Sequence, residues 1–207
     1  MPRDTRQTLI DAAYELFGRN GFHLVGLDRI LADAGVSKQT FYNHFESKDE
    51  LILAVLEQRH EQESLTVQRL FEKLGGDDPR AKLYALFDVF DAWFNLPNFR
   101  GCIFLTAAAE FPSPNEPAHQ AAGAHARSFV DYLTELATAA GAVEPRSLAE
   151  QLAVLVEGIV AFRHVTTDQR TVEIARRTGK LVLDAHFAPV QAPKVKLPRP
   201  LAASQRP

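Results

Sequence analysis

Thirty residues, Phe22 to Leu51, constrain this chain more than any other stretch. The run FHLVGLDRILADAGVSKQTFYNHFESKDEL holds two short helix patterns and the start of a third, separated by turns too brief to let the helices drift apart. Leu27, Ile30 and Leu31 recur at helical spacing, and Gly35 supplies the stop. Ser37 is placed to cap the next helix, which extends to about His44. Phe41 and Phe45, four residues apart, seal that helix onto the ones before it. Ser47-Lys48-Asp49-Glu50 then forms a capping box that opens a further helix. The middle, Leu27 to Phe45, is thus laid out as a helix-turn-helix.

The flanks extend this pattern into an all-α fold. A first helix over about Thr5 to Arg19 carries Leu9, Ile10, Ala13, Leu16 and Phe17 at helical spacing and stops at Gly21. The helix from Lys48 continues to about Leu74, with Leu51, Val55, Leu65, Leu70 and Leu74 among its apolar positions. That is longer than a three-helix module needs and reads as a rod into a second domain. Asp78-Pro79 caps and opens the next helix, which runs to about Phe94. A short apolar segment, Cys102 to Phe111, precedes a loop marked by Pro112, Pro114 and Pro117. Helices over about Ala118–Ala140, Pro145–Val165 and Asp168–His186 complete about nine, with Thr167 or Asp168 capping the last. Residues 187–207 carry five prolines, four basic residues and no acidic one, so a disordered tail is expected there.

Charge and cysteine content exclude some function classes. The net charge of -3, from 23 basic and 26 acidic residues, counts against non-specific coating of nucleic acid but leaves room for a small local contact surface. One cysteine, Cys102, rules out an intrachain disulfide framework and suits a reducing compartment. The N-terminus lacks the apolar run of a signal peptide, and no run is long enough to span a bilayer. A cytoplasmic location and no membrane partner are therefore expected. Two ExxH patterns occur, Glu57 to His60 and Glu116 to His119, but Pro117 places the second in a loop. Ser64 stands where a zinc-protease motif would need histidine. No nucleotide or nucleophile-elbow motif is present, so no metal, no cofactor and no enzyme activity are expected.

A helix that enters the major groove needs polar side chains outside and apolar ones inside. Val36, Phe41 and Phe45 make the inner side, leaving Lys38, Gln39, Thr40, Tyr42, Asn43 and His44 outward. Gln39 can pair with an adenine edge, Thr40 can bond to a base or pack against a thymine methyl, and Lys38 can reach guanine or phosphate. Tyr42 and His44 suit the backbone, and Lys48 begins a helix whose free N–H groups also face an anion. Plainer readings stay open: Tyr42 as a half-buried aromatic, Asn43 and His44 as helix-end residues, Lys38 as a surface charge.

These residues carry a specific resemblance. Thr5-Arg6 with Ile10, Ala12-Ala13, Leu16-Phe17, Gly21-Phe22, Ile30, Ala34-Gly35-Val36-Ser37-Lys38, Thr40 through Phe45 and Ser47 through Leu51 resemble the DNA-binding domain of the TetR/AcrR family of bacterial transcriptional regulators. The resemblance covers roughly a quarter of the chain. It implies base-facing roles for Lys38, Gln39 and Thr40, and phosphate contacts for Tyr42, His44 and Lys48. Val25-Gly26 departs from the hydroxyl residue usual before the second helix, so a contact there falls to backbone N–H, His23 or Arg29. Asp28 stands where many members are basic. The implied layout is a helix-turn-helix domain over 1–47, a helical ligand-binding and dimerisation domain over 48–186, and the tail.

For the second domain the aromatic residues matter. Most belong to a core, but as a group they also suit an apolar cavity with a few polar groups, with Phe90, Trp93, Cys102, Thr106 and His125 as ligand candidates. Leu148, Leu152, Leu155, Val156, Ile159 and Val160 on the eighth helix, with Ile174, Leu181 and Val182 on the ninth, suit a homodimer through those two helices, or a core alone. One short recognition helix sees few base pairs, whereas a two-fold pair reads a palindrome. The expected partners are a palindromic double-stranded DNA operator, an effector of unknown identity and a second copy. The expected mechanism is a repressor released by its ligand. The alternative is a helical small-molecule-binding or interaction module without specific DNA binding.

Overall fold

The computed structural model describes residues 4–96, 101–166, 168 and 170–187. The expected tail after Phe187 and the capping choice at Thr167 lie outside these residues. Among the described residues the chain forms ten helices and no strand. They are α1 (Thr5–Asn20), α2 (Leu27–Ala34), α3 (Lys38–Tyr42), α4 (Lys48–Gly75), α5 (Pro79–Tyr84), α6 (Leu86–Phe94), α7 (Ile103–Glu110), α8 (Pro117–Ala139), α9 (Pro145–Thr166) and α10 (Arg170–Phe187).

Local chemistry explains most of these boundaries. Asp4 opens α1 by accepting from the Arg6 N–H at 3.0 Å. Gly21 closes it with φ 79°, a conformation that side chains with a Cβ rarely adopt. Ser37 accepts from the Thr40 N–H at 3.1 Å, and Ser47 accepts from the Glu50 N–H at 3.1 Å. Glu50 reaches back as a capping box requires, but to the N–H of Glu46 at 2.6 Å, one residue before the cap. Asp78 accepts from Arg80 and Ala81, with Pro79 in the first turn of α5.

Several expected boundaries are corrected. The helix expected over 79–94 is two, because Ala85, with ψ -3°, bends the backbone while its N–H still bonds to Ala81 and Lys82. No proline or glycine marks that bend, so the residues give no sign of it. α3 ends at Tyr42, and Asn43 and His44 close it as a turn. Pro117 is not in a loop but opens α8, since a missing N–H costs nothing in a first turn. On α4, Leu65 and Leu74 are exposed, whereas Ile52, Leu56 and Phe71 are buried with Leu51 and Val55.

Two hydrophobic clusters hold the molecule. The first joins α1, α2, α3 and the first half of α4 through Leu9, Phe17, Phe22, Ile30, Phe41, Phe45 and Val55, and continues into Ile103, Phe104, Ala107, Ala118 and Ala122. The head is thus packed directly on α7 and the start of α8. The second gathers Phe71 with Phe87, Phe90, Trp93, Leu133, Leu152, Val156 and Leu183, from α5, α6 and α8 to α10. α4 belongs to both clusters, the first through Leu51 to Leu56 and the second through Phe71. With 28 residues it is about 42 Å long at 1.5 Å per residue.

Candidate DNA-facing helix and ligand cavity

Phe41 is fully buried and packs against Phe45, ring centroids 5.7 Å apart, which fixes α3 to the head by one face. The other face is polar. Lys38, Gln39, Tyr42 and Asn43 are exposed, and Thr40 and His44 are half-buried. The Thr40 hydroxyl lies 2.7 Å from the Ser37 hydroxyl, so these two orient each other at the helix start. Lys48 is placed differently from its neighbours. Its ammonium donates to the Phe22 carbonyl at 2.6 Å, and burial lowers its pKa against the opposing pull of Asp49 and Glu110. It steadies the loop between α1 and α2.

That loop is held from the other side by Glu110, the last residue of α7. Its carboxylate accepts from the Phe22 N–H at 3.0 Å and the His23 N–H at 2.7 Å, two successive amides that form an anion nest. The His23 ring lies 2.8 Å from the Glu110 carbonyl oxygen through Nε2 and packs on Phe111 at 4.8 Å. His23 is therefore engaged within the fold, while Arg29 is exposed. Val25 is fully buried, and Gly26 caps α2 without a side-chain bond, leaving Asp28 exposed in the first turn.

Behind this joint, between α4, α6, α8 and α9, lies a cavity of about 90 Å³. Phe90, Trp93, Cys102 and His125 line it, as four of the five ligand candidates. Thr106 stands apart: it lines a separate cleft with Tyr14, Gly21, Glu110 and His164, because α7 turns that face toward α1. The Cys102 thiol is pushed up to about 12, chiefly by burial, so it is a protonated, unreactive group. His125 stacks flat on Phe104 at 3.8 Å and meets His60 across 3.0 Å between Nδ1 atoms. Burial, helped by His60, lowers its pKa to about 4, so the ring is neutral. Among the described residues no group of three or more His, Cys, Asp or Glu could hold a metal ion.

The sequence reading missed the acids of the cavity, Glu63 and Glu157. Glu63 is 6% exposed and accepts from Arg59 Nη2 at 2.9 Å, yet burial outweighs the ion pair and raises its pKa. Arg59 in turn lies 4.2 Å over the Tyr14 ring of α1, with its Nε buried and unpartnered. Burial also raises Glu157. A signal existed: Glu63 shares the stripe of Leu56, Val67 and Phe71, and Glu157 that of Ala153 and Val160, where a solvated charge does not belong.

The outer surfaces of α9 and α10 carry exposed apolar residues, most of them other than those expected, beside the charged Glu173, Arg177, Lys180 and Asp184 of α10. Leu148, Leu152, Val156, Ile159 and Val160 are buried within the chain itself. Val154, Phe162 and Val165 on α9, with Ile174 and Leu181 on α10, are the exposed ones, Val154 and Leu181 at 72% each. Spacing gave two apolar faces on α9 but not which one its own chain covers. No helix among the described residues is long and apolar enough to cross a membrane.

Known proteins share this arrangement. The profile of bacterial regulatory proteins of the tetR family matches residues 9–55, and that of the tetracyclin repressor-like C-terminal domain matches residues 79–178. The HTH-type transcriptional activator FasR of Mycolicibacterium smegmatis is 54% identical over 61 residues, 29% of this chain and 27% of FasR. The HTH-type transcriptional regulator YjdC of Escherichia coli is 28% identical over 102 residues, 49% of this chain and 53% of YjdC. The chain thus spans about a quarter and about half of these two curated relatives. The crystal structure of SCO4454, a TetR-family transcriptional regulator from Streptomyces coelicolor, superposes with a TM-score of 0.80 at 32% identity, covering 88% of this chain and 95% of that one.

Proposed function

The chain belongs to the TetR family of bacterial transcriptional regulators, and from that premise we propose that it is a homodimeric repressor released from a palindromic operator by a small molecule. The family makes it a DNA-binding regulator of transcription and not an enzyme. The finer reading rests on one observation: α4 is a single helix whose first turns pack in the head and whose middle, Glu63 to Gln68, lines the cavity. A ligand that favours one cavity arrangement over another shifts α4, and with it the spacing of two heads.

In this reading residues 1–47 form the DNA-binding domain and 48–186 the ligand and dimer domain. Lys38, Gln39 and Thr40 read bases, and Tyr42, Asn43 and His44 meet the backbone. Lys48 contributes by fixing the loop beneath α2. Two copies associate through the exposed stripes of α9 and α10, where burying Val154, Phe162, Ile174 and Leu181 removes apolar surface from water. Phe90, Trp93, Cys102 and His125 contact the effector.

Selection from an oligonucleotide library, followed by salt-dependent binding to the enriched site, tests this. Thr40→Ala and Lys38→Ala are each expected to change base preference, whereas His44→Ala weakens many sequences similarly. Absence of any enriched sequence would remove the regulator reading in favour of a helical ligand-binding module. FasR is named an activator, so transcription from the selected site with and without protein decides the sign of control.

A further inference from the structure

We propose that the cavity takes a small organic monocation with an apolar body, an arylalkylammonium or quaternary ammonium ion, with Glu157 as its counter-charge. The inference rests on the reading of this cavity as the effector site and names the chemical class that fits it.

The charge inventory of the lining carries the argument. Two carboxylates, Glu63 and Glu157, line the cavity, and among the described residues no lysine or arginine does. Glu63 Oε1 is answered by Arg59. Glu157 has no hydrogen bond or ion pair among the described residues, and burial raises its pKa with no opposing cause. Glu157 is half-buried, and a carboxylate partly withdrawn from water without a partner carries a cost that a positively charged ligand offsets. The other titratable groups add no positive charge: His125 is neutral, and the Cys102 thiol is protonated. Tyr132, a further lining residue, feels Glu72 and Glu135. Among the described lining residues the unpaired charge that can form is negative, which disfavours carboxylate, phosphate or sulfate ligands.

The walls supply the rest of the recognition. Phe90 meets Trp93 at 5.7 Å and 76°, and Phe129 at 5.5 Å and 74°. Edge-to-face rings of this kind fix the π surfaces that an ammonium group prefers, and Val67, Val156 and Val160 offer apolar surface to its body. A volume of about 90 Å³ is below the roughly 150 Å³ of an apolar cavity that holds benzene, so a ligand of one ring with a short chain enters as the lining side chains move apart.

The chain has one tryptophan, Trp93, so fluorescence excited selectively at tryptophan reports this site. Three probes share one body and differ in charge: phenethylammonium, 2-phenylethanol and phenylacetate. The full-length protein is expected to bind phenethylammonium at least about tenfold more tightly than the alcohol, and phenylacetate most weakly. Glu157→Gln should erase the difference between the first two while leaving the alcohol unchanged. Equal affinity for all three, preference for phenylacetate, no binding of any, or full ammonium selectivity in Glu157→Gln each overturns the proposal. The wild-type charge series decides the matter even if the variant does not fold. Operator binding is scored separately. Release by a neutral or anionic compound sinks the cation class and leaves the regulator intact, whereas selective ammonium binding without specific DNA binding does the reverse.

Discussion

Replacing Glu110 by alanine removes the carboxylate that holds the loop between α1 and α2. Two backbone N–H groups lose their acceptor, Phe22 at 3.0 Å and His23 at 2.7 Å. Phe22 is fully buried, so its amide has no water to turn to, and an unanswered buried donor costs about 1–3 kcal/mol. His23 is exposed, and water replaces most of its bond, leaving a loss of about 1 kcal/mol for a bond to a charged acceptor. A total of about 3 kcal/mol lowers the Tm of a chain this size by about 6–12 °C. Glu110→Gln keeps one acceptor oxygen and should show about half the fall. Thermal unfolding followed by circular dichroism measures both. A Tm for the alanine variant within about 1 °C of wild type, or alanine and glutamine variants that melt together, refutes the account. Because α7 is the element that grips the head here, the alanine variant is also expected to respond less to a ligand than to lose operator binding.

Gly179→Ala poses a question of sign, since alanine in a helix interior normally gains about 1 kcal/mol over glycine. Here the added methyl would land on the Phe87 ring, which is 1% exposed, and overpacking of about 1–3 kcal/mol wins, so the variant should melt lower than wild type. The second concerns acidity. His125 falls from 6.5 to about 4 on folding, so between those values the unfolded chain binds a proton that the native one does not, and stability drops as pH falls. The loss reaches roughly 3 kcal/mol by pH 4 and then levels off. Denaturant unfolding of wild type minus His125→Phe isolates it from Glu63 and Glu157, whose raised values act in the opposite sense, and a flat difference between pH 4 and 6.5 rules it out.

What could be read from the residues was what depends on near neighbours in the chain. Ser37 and Ser47 cap helices through bonds three residues on, and Phe41 and Phe45 face one way because four residues make about one helical turn. Bonds across the fold were not legible. Nothing near Lys48 announces the carbonyl 26 residues earlier that its ammonium also bonds, and nothing near Glu110 announces a partner 88 residues away. The cavity lay between. Its aromatics were found because large rings are conspicuous, while Glu63 and Glu157 passed as surface charge. α9 shows the limit of periodicity most plainly, since it has an apolar residue on every side and spacing alone cannot rank the faces.

The first hydrophobic cluster does not stop at the end of the helix-turn-helix, for Ile103, Phe104, Ala107, Ala118 and Ala122 complete it. The reading head is therefore no interchangeable cassette. A chimera that joins residues 1–47 to another regulator's body exposes the apolar face that α7 and α8 cover, and strips Phe22 and His23 of Glu110. Grafts that carry 48–56 and 101–122 along with the head keep that seam closed, so on the roles proposed for Lys38 to Asn43 an altered operator choice is reached more simply by editing those residues in place.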